Sequence, residues 1–226
     1  MPYIVCAEEN DRRWIAHVPD LPGCYSSHTD REKAIYAIPD TIQHFMIWCE
    51  SHGIHISGLA GPMLVAEVIR AWEFEDGYEV NAFFASDRPP LVKAELEEYR
   101  LLLIATRNDL KSVVSGLSEN ELHWEFPEER WPIQGVLMHV ARAEHWYLDR
   151  LGLGFPKSEF PEDPFEALEK VRNHTLESLP SLSKFTGVVT LAGETWTARK
   201  VMRRTLWHER DHTEHIQKLR TLLPEW

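Results

Sequence analysis

Residues 193–219 read GETWTARKVMRRTLWHERDHTEHIQKL, and their period decides what the second half of the chain is. From about Thr197 nothing ends a helix before Pro224. On a wheel of about 100° per residue with Val201 at the origin, His208 falls at about 340° and His212 at about 20°. Both imidazoles therefore share the apolar side with Val201, Ile216 and Leu219. A polar pair placed there needs a compensating partner, because burying unsatisfied polar groups is costly. Metal coordination is one such partner, and a hydrogen-bonded core pair is another.

The segments upstream share this helical period. Residues 91–117 carry Leu96, Tyr99, Leu103, Leu110 and Val114 at helical spacing. A second helix is expected from Pro132 to about Leu151 and a third over 164–180. FTGVVTLAGETWT (185–197) reads as a short hairpin or an extended crossover. Four amphipathic helices of similar size cover one another most economically as an all-α four-helix bundle.

The chain changes character near residue 87. YIVCAE (3–8) and RWIAHV (13–18), joined by the polar turn ENDR, suggest an opening hairpin. Residues 30–52 read as a helix that Pro39 kinks or restarts. After the turn GLAGP, MLVAEVIRAWEF and YEVNAFFAS are two extended pieces joined by EDG. This predicts an α+β domain over residues 1–87, a joint at SDRPP (86–90), and the bundle over 88–226.

Composition narrows the function classes. With 43% hydrophobic and 27% charged residues the chain is of ordinary globular type, and a net charge of −12 argues against a broad nucleic-acid-binding face. No apolar run approaches membrane-spanning length and the start does not read as a secretory signal, so no membrane association and a cytoplasmic location are expected. Cys6, Cys24 and Cys49 fit reduced, buried thiols better than a disulfide scaffold.

Two histidines do not complete a metal site, since zinc takes three or four protein ligands. The second helix offers His139, toward one edge of its apolar stripe, and His145 further along. Spacing alone leaves a metal site and satisfied core histidines both open.

Residues 91–226 resemble the DinB and YfiT-like family of metal-dependent hydrolases and thiol-dependent transferases. The likeness is carried by LLLIATRNDLKSVVSGLSENEL, GVLMHVARAEHWYLDRL and the opening stretch. It implies a four-helix bundle holding a divalent metal on a histidine triad, matched here by His139, His208 and His212. Many members carry Arg-Gly-Gln after the last ligand, where this chain has Thr213, Glu214 and His215. Residues 14–53, with PDLPGC at 19–24, resemble the HicB-like antitoxin domain family, which implies a compact β-α-β type fold and protein binding or self-association.

The function expected is a metal-dependent hydrolase or thiol transferase acting on a small molecule or thiol, with zinc or nickel as the metal. The alternative is an interaction module whose metal is structural. Glu209 and Asp211 are candidates for proton transfer, and Glu144 for hydrogen bonding around the site, each set against a plain role as a helix charge. Trp146, Trp196 and Trp207 either wall a cavity or pack the core. A homodimer is expected through an exposed sheet edge or through bundle faces.

Overall fold

The computed structural model describes residues 2–10, 12–56, 61–74 and 78–224. Strands β1 (Tyr3–Asn10), β2 (Arg13–His17) and β3 (Tyr25–His28) form an antiparallel meander, and β4 (Met63–Ile69) joins the far side of β1 in parallel, giving the order β3-β2-β1-β4. A parallel partner requires a crossover, and helices α1 (Arg31–Tyr36) and α2 (Ile38–Ser51) lie within it. Asp30 caps α1 by accepting from the Lys33 N–H. The helix breaks at Ala37 and restarts with Pro39 in the first turn of α2, where the missing N–H costs nothing. What reads as one extended piece, 63–74, is divided: β4 ends at Ile69, and β5 (Trp72–Phe74) pairs with β6 (Tyr78–Val80) in a separate ladder. The EDG joint and most of GLAGP lie outside the described residues, as does Asp11 of ENDR.

Strand alternation makes this sheet a middle layer. Trp14 and Ala16 of β2 join the cluster containing Ala34 and Ile38 of the crossover helices. Ile15 and His17 point the other way, toward Trp207 of the last helix. The PDLPGC turn closes against that helix too. Gly23 sits at φ +88, and a Cβ there would lie 3.4 Å from both Leu206 and Arg210.

The second half is mostly helical. Four long helices among the described residues are α3 (Leu96–Val114), α5 (Ile133–Asp149), α6 (Pro164–Lys184) and α7 (Ala198–Arg220), with the single turn α4 (Glu119–Leu122) between the first two. α3 and α5 each pack against both α6 and α7. β7 (Val189–Leu191) and β8 (Glu194–Trp196) resolve the 185–197 segment as a hairpin. α6 runs one turn beyond the sequence expectation, through Pro180. Leu179 and Leu182 are buried in the core there, and that packing outweighs the backbone bond that Pro180 cannot make.

The two halves share one apolar core. Val5, Val18 and Phe45 from the front belong to the same cluster as Tyr99, Leu148 and Leu206 from the helices. No helix among the described residues is long and apolar enough to cross a membrane.

Candidate metal centre

His208 and His212 lie one turn apart on α7, and His139 reaches them from α5. The Nε2 atoms of His139 and His208 are 3.0 Å apart, and those of His208 and His212 are 3.1 Å apart. Among the described residues this is the one group of His, Cys, Asp or Glu placed to hold a metal ion. Ligand bonds of about 2.1 Å place donor atoms about 3.0 Å apart at right angles and about 3.4 Å apart in a tetrahedron, so the spacing fits coordination.

Hydrogen bonding among the three rings cannot replace such an ion. A neutral imidazole offers one N–H and one lone pair, so His208 Nε2 cannot serve both neighbours as acceptor or both as donor. The rings are held neutral. Burial lowers the pKa of His139, assisted by Arg130, and holds His208 well below its ordinary value, with His212 and His139 adding to the effect. Burial takes His212 down to about 3. Neutral rings keep their lone pairs available to a metal at ordinary pH. The Nδ1 of His212 is buried without a partner.

Local sequence explains how His139 is steadied. Its ring stacks on Trp131 at 4.8 Å between centroids. Trp131 reaches that position by crossing the first turn of α5 at Gly135, where a Cβ would come within 2.8 Å of the Trp131 Cβ. His145, the other candidate on α5, is accounted for elsewhere: its Nε2 meets the Phe155 carbonyl at 2.8 Å between flanking phenyl rings.

The three histidines open onto a cleft of about 1480 Å³. α5 and α7 form its floor, and the front half contributes a wall that includes Arg13, Ser27, Phe45 and Trp48. Trp146 and Trp207 line it, whereas Trp196 is fully buried in the core. Arg13 of β2 grips both oxygens of Asp211, at 2.8 and 2.5 Å. Asp211 therefore stands at the cleft already paired. Of the residues that follow His212, Thr213 turns its hydroxyl to the Glu209 carbonyl, and His215 meets Glu129 at 3.1 Å. Burial raises the pKa of Glu214, which also lines the cleft.

Glu209 is arranged differently from a proton-transfer group facing the histidines. It follows His208 by one residue, a rotation of about 100°, and its carboxylate enters the core between the helices. One oxygen accepts from Arg107 at 2.5 Å, and the other from Thr106 at 2.5 Å and Arg172 at 2.7 Å. Glu144 takes the opposite side of the same network, accepting from Arg172, Arg107 and Thr175. The remaining guanidinium nitrogens donate to the carbonyls of Leu168 and Leu103. Neither carboxylate lines the cleft.

Sequence reasoning did not pick out Arg13, Trp131 or Arg204. The first two reach the site only through tertiary packing. Arg204 lies four residues before His208, and that helical spacing was its signal.

Comparison with known proteins agrees with the site. No curated protein and no solved structure matches the chain. The family model described as DinB superfamily matches residues 102–216, half of the sequence, and spans all three histidines. With its histidines gathered from two helices inside that span, the chain belongs to the DinB superfamily.

Proposed function

We propose that the protein is a divalent-metal-dependent enzyme, a hydrolase or thiol S-transferase, whose metal is held by His139, His208 and His212 in a four-helix bundle. The observation that carries this reading is the convergence of three Nε2 atoms, that of His208 from a buried residue, at a large cleft, with no fourth His, Cys, Asp or Glu closing the group among the described residues. Structural zinc sites are usually closed by four protein ligands, while catalytic sites keep a place for water or substrate. Zinc or nickel suits three neutral imidazoles. Bound there, such an ion lowers the pKa of a coordinated water or thiol and polarises an acceptor.

The chain's own residues supply the setting. Trp131 steadies the His139 ring, and the network around Glu209 ties α7 to α3 and α6 within the core. Glu209 thus serves the packing of the helices. Asp211, clamped by Arg13, ties the front wall to the rim of the cleft and is the nearer candidate for handling a proton.

The remaining assignments belong to the same proposal. Residues 1–87 form a HicB-like domain, supported by the three-stranded meander, its crossover helices and the parallel β4. Residues 88–226 form the bundle. β4 lies at a sheet edge with Leu64, Val65 and Val68 exposed, which supports a homodimer. Three free, buried cysteines agree with a cytoplasmic location.

Elemental analysis of protein stripped with chelator and reloaded tests the metal. One equivalent of zinc or nickel is expected, and wild-type protein that binds neither ends the proposal. A screen of ester, amide and thiol-transfer substrates on the loaded protein tests the activity. Folded, loaded protein without turnover points instead to an interaction module with a structural ion.

A further inference from the structure

The cleft contains a second group that the fold leaves incomplete. Arg204 is only 4% exposed, yet it borders the cleft one helical turn before His208. Its guanidinium lies 4.2 Å from the centre of the Trp207 ring and 5.9 Å from that of Tyr147. Nη1 reaches Glu8 at a long 3.4 Å. Nε is buried and has no partner.

Glu8 cannot complete it. The same Glu8 oxygen already meets His17 at 2.8 Å and Arg203 at 3.1 Å, and the other accepts from the Ala82 N–H. Arg203, the neighbour in sequence, shows what a satisfied guanidinium looks like here: it binds both oxygens of Asp87 at 2.9 Å and donates to the Ala82 carbonyl. Beside Arg204, the indole N–H of Trp207 is likewise buried and unpartnered, and Trp207 is one of the residues that line the cleft. Two buried donors without a sufficient acceptor thus stand side by side next to the histidines.

Other cations of the cleft are less suited. Arg13 is committed to Asp211, Arg130 lies over Trp131, and Arg142 and Lys218 are exposed; Arg210, whose Nε is also without a partner, lies over Phe45 and Trp48 and is only partly buried. A desolvated guanidinium with a planar fork matches a planar oxyanion and discriminates against a neutral group.

We propose that Arg204, with the Trp207 N–H, anchors the anionic head group of the substrate, a carboxylate or similar oxyanion, while the other end of that molecule reaches the His139–His208–His212 site. The second half of this statement rests on the proposed metal-dependent function. One helical turn, about 5.4 Å, separates the anchor from the ligands along α7, the span of a two- or three-carbon spacer.

The test compares 3-mercaptopropionate with 3-mercapto-1-propanol, which keeps the thiol and removes the charge, and with propionate, which keeps the charge and removes the thiol. Binding to zinc-loaded protein is read by calorimetry for the thiols. Ligand-observed NMR reads propionate on loaded and metal-free protein. In wild type the mercaptocarboxylate is expected to bind at least tenfold more tightly than the mercaptoalcohol. Arg204→Met should erase that gap and leave the mercaptoalcohol and the zinc content unchanged, and Arg204→Lys should restore it only in part. Equal binding of the two thiols by wild type overturns the anchor whether or not the variants fold, as does a gap that survives in a folded Arg204→Met protein. Neither result touches the metal–thiol reading. If the mercaptoalcohol does not bind while propionate and the mercaptocarboxylate bind equally well through Arg204, the metal–thiol reading fails and the anchor stands. If none of the three binds, both fail.

Discussion

Two polar clusters are buried one residue apart on α7, and they are built on opposite terms. Around Glu209 and Glu144, two carboxylates meet Arg107 and Arg172, and every guanidinium nitrogen has an acceptor. Charge sums to zero and no nitrogen is left without an acceptor. Around His208, three neutral imidazoles face one another with lone pairs that no side chain can satisfy together. The closed cluster is architecture, whereas the open one is a receptacle. Burial alone does not separate them, since His208 and Arg107 are both under a tenth exposed. What separates them is whether the hydrogen-bonding capacity is spent.

The sharpest way to break this contrast is a pair of substitutions. His208→Ala should abolish metal binding, from one equivalent to none by elemental analysis, and eliminate any activity, with little loss of folded protein. Arg172→Met should do the reverse. It leaves two buried carboxylates sharing the single guanidinium of Arg107, at a cost of about 3–5 kcal/mol. For a chain of this size that lowers the midpoint of thermal unfolding by on the order of 10 °C. If Arg172→Met unfolds normally but loses the metal, the division between architecture and receptacle is wrong.

Acid gives a second, graded test. Burial pushes the Glu144 carboxyl up, but Arg172 and Arg107 together pull its pKa below the ordinary value of 4.5. The unfolded chain therefore binds the proton more readily, and stability is lost as pH falls from about 4.5 toward the folded pKa. Chemical denaturation of metal-free protein across that window should show a declining midpoint, and Glu144→Gln should flatten the decline. A decline as steep in the variant as in the wild type would place the acid sensitivity outside the network.

The smallest effect is expected at the rim. Arg13 is about a third exposed, so its pair with Asp211 contributes about 1 kcal/mol or less. Asp211→Asn should shift the midpoint by a few degrees at most and alter turnover more than stability if the carboxylate handles a proton. An unchanged rate would assign Asp211 to holding the front wall alone.

Much of this was readable from periodicity. The wheel put His208 and His212 on the packed side of α7, and the restart at Pro39 followed from the ring's missing N–H. The same arithmetic also placed Glu209 about 100° away from His208, so its turn into the core was implicit in the spacing. The choice of His139 over His145 was not readable in that way, because both lie on α5 and only the Phe155 carbonyl, reached through a loop, occupies the latter. The run through Pro180 was missed because local preference was overridden by the burial of Leu179 and Leu182. Nothing local announces that Arg13 meets Asp211. Such pairs are set by how a sheet is laid across a helix, and a sequence window does not contain that information.

The seam between β1–β2 and α7 also bears on how the protein is made. Glu8 and Arg13 meet partners 195 and 198 residues further along the chain. During synthesis the front sheet emerges before α7, carrying a carboxylate destined for burial, and its counter-charge on Arg203 follows 195 residues later. Translation proceeds at about 5–20 residues per second, so the sheet waits on the order of ten seconds or more for α7. Closure of the seam, the core and the metal receptacle must then be a late, nearly simultaneous event. A nascent chain halted before Arg203 should leave the front sheet open to protease, and release of α7 should protect the sheet and the helices together.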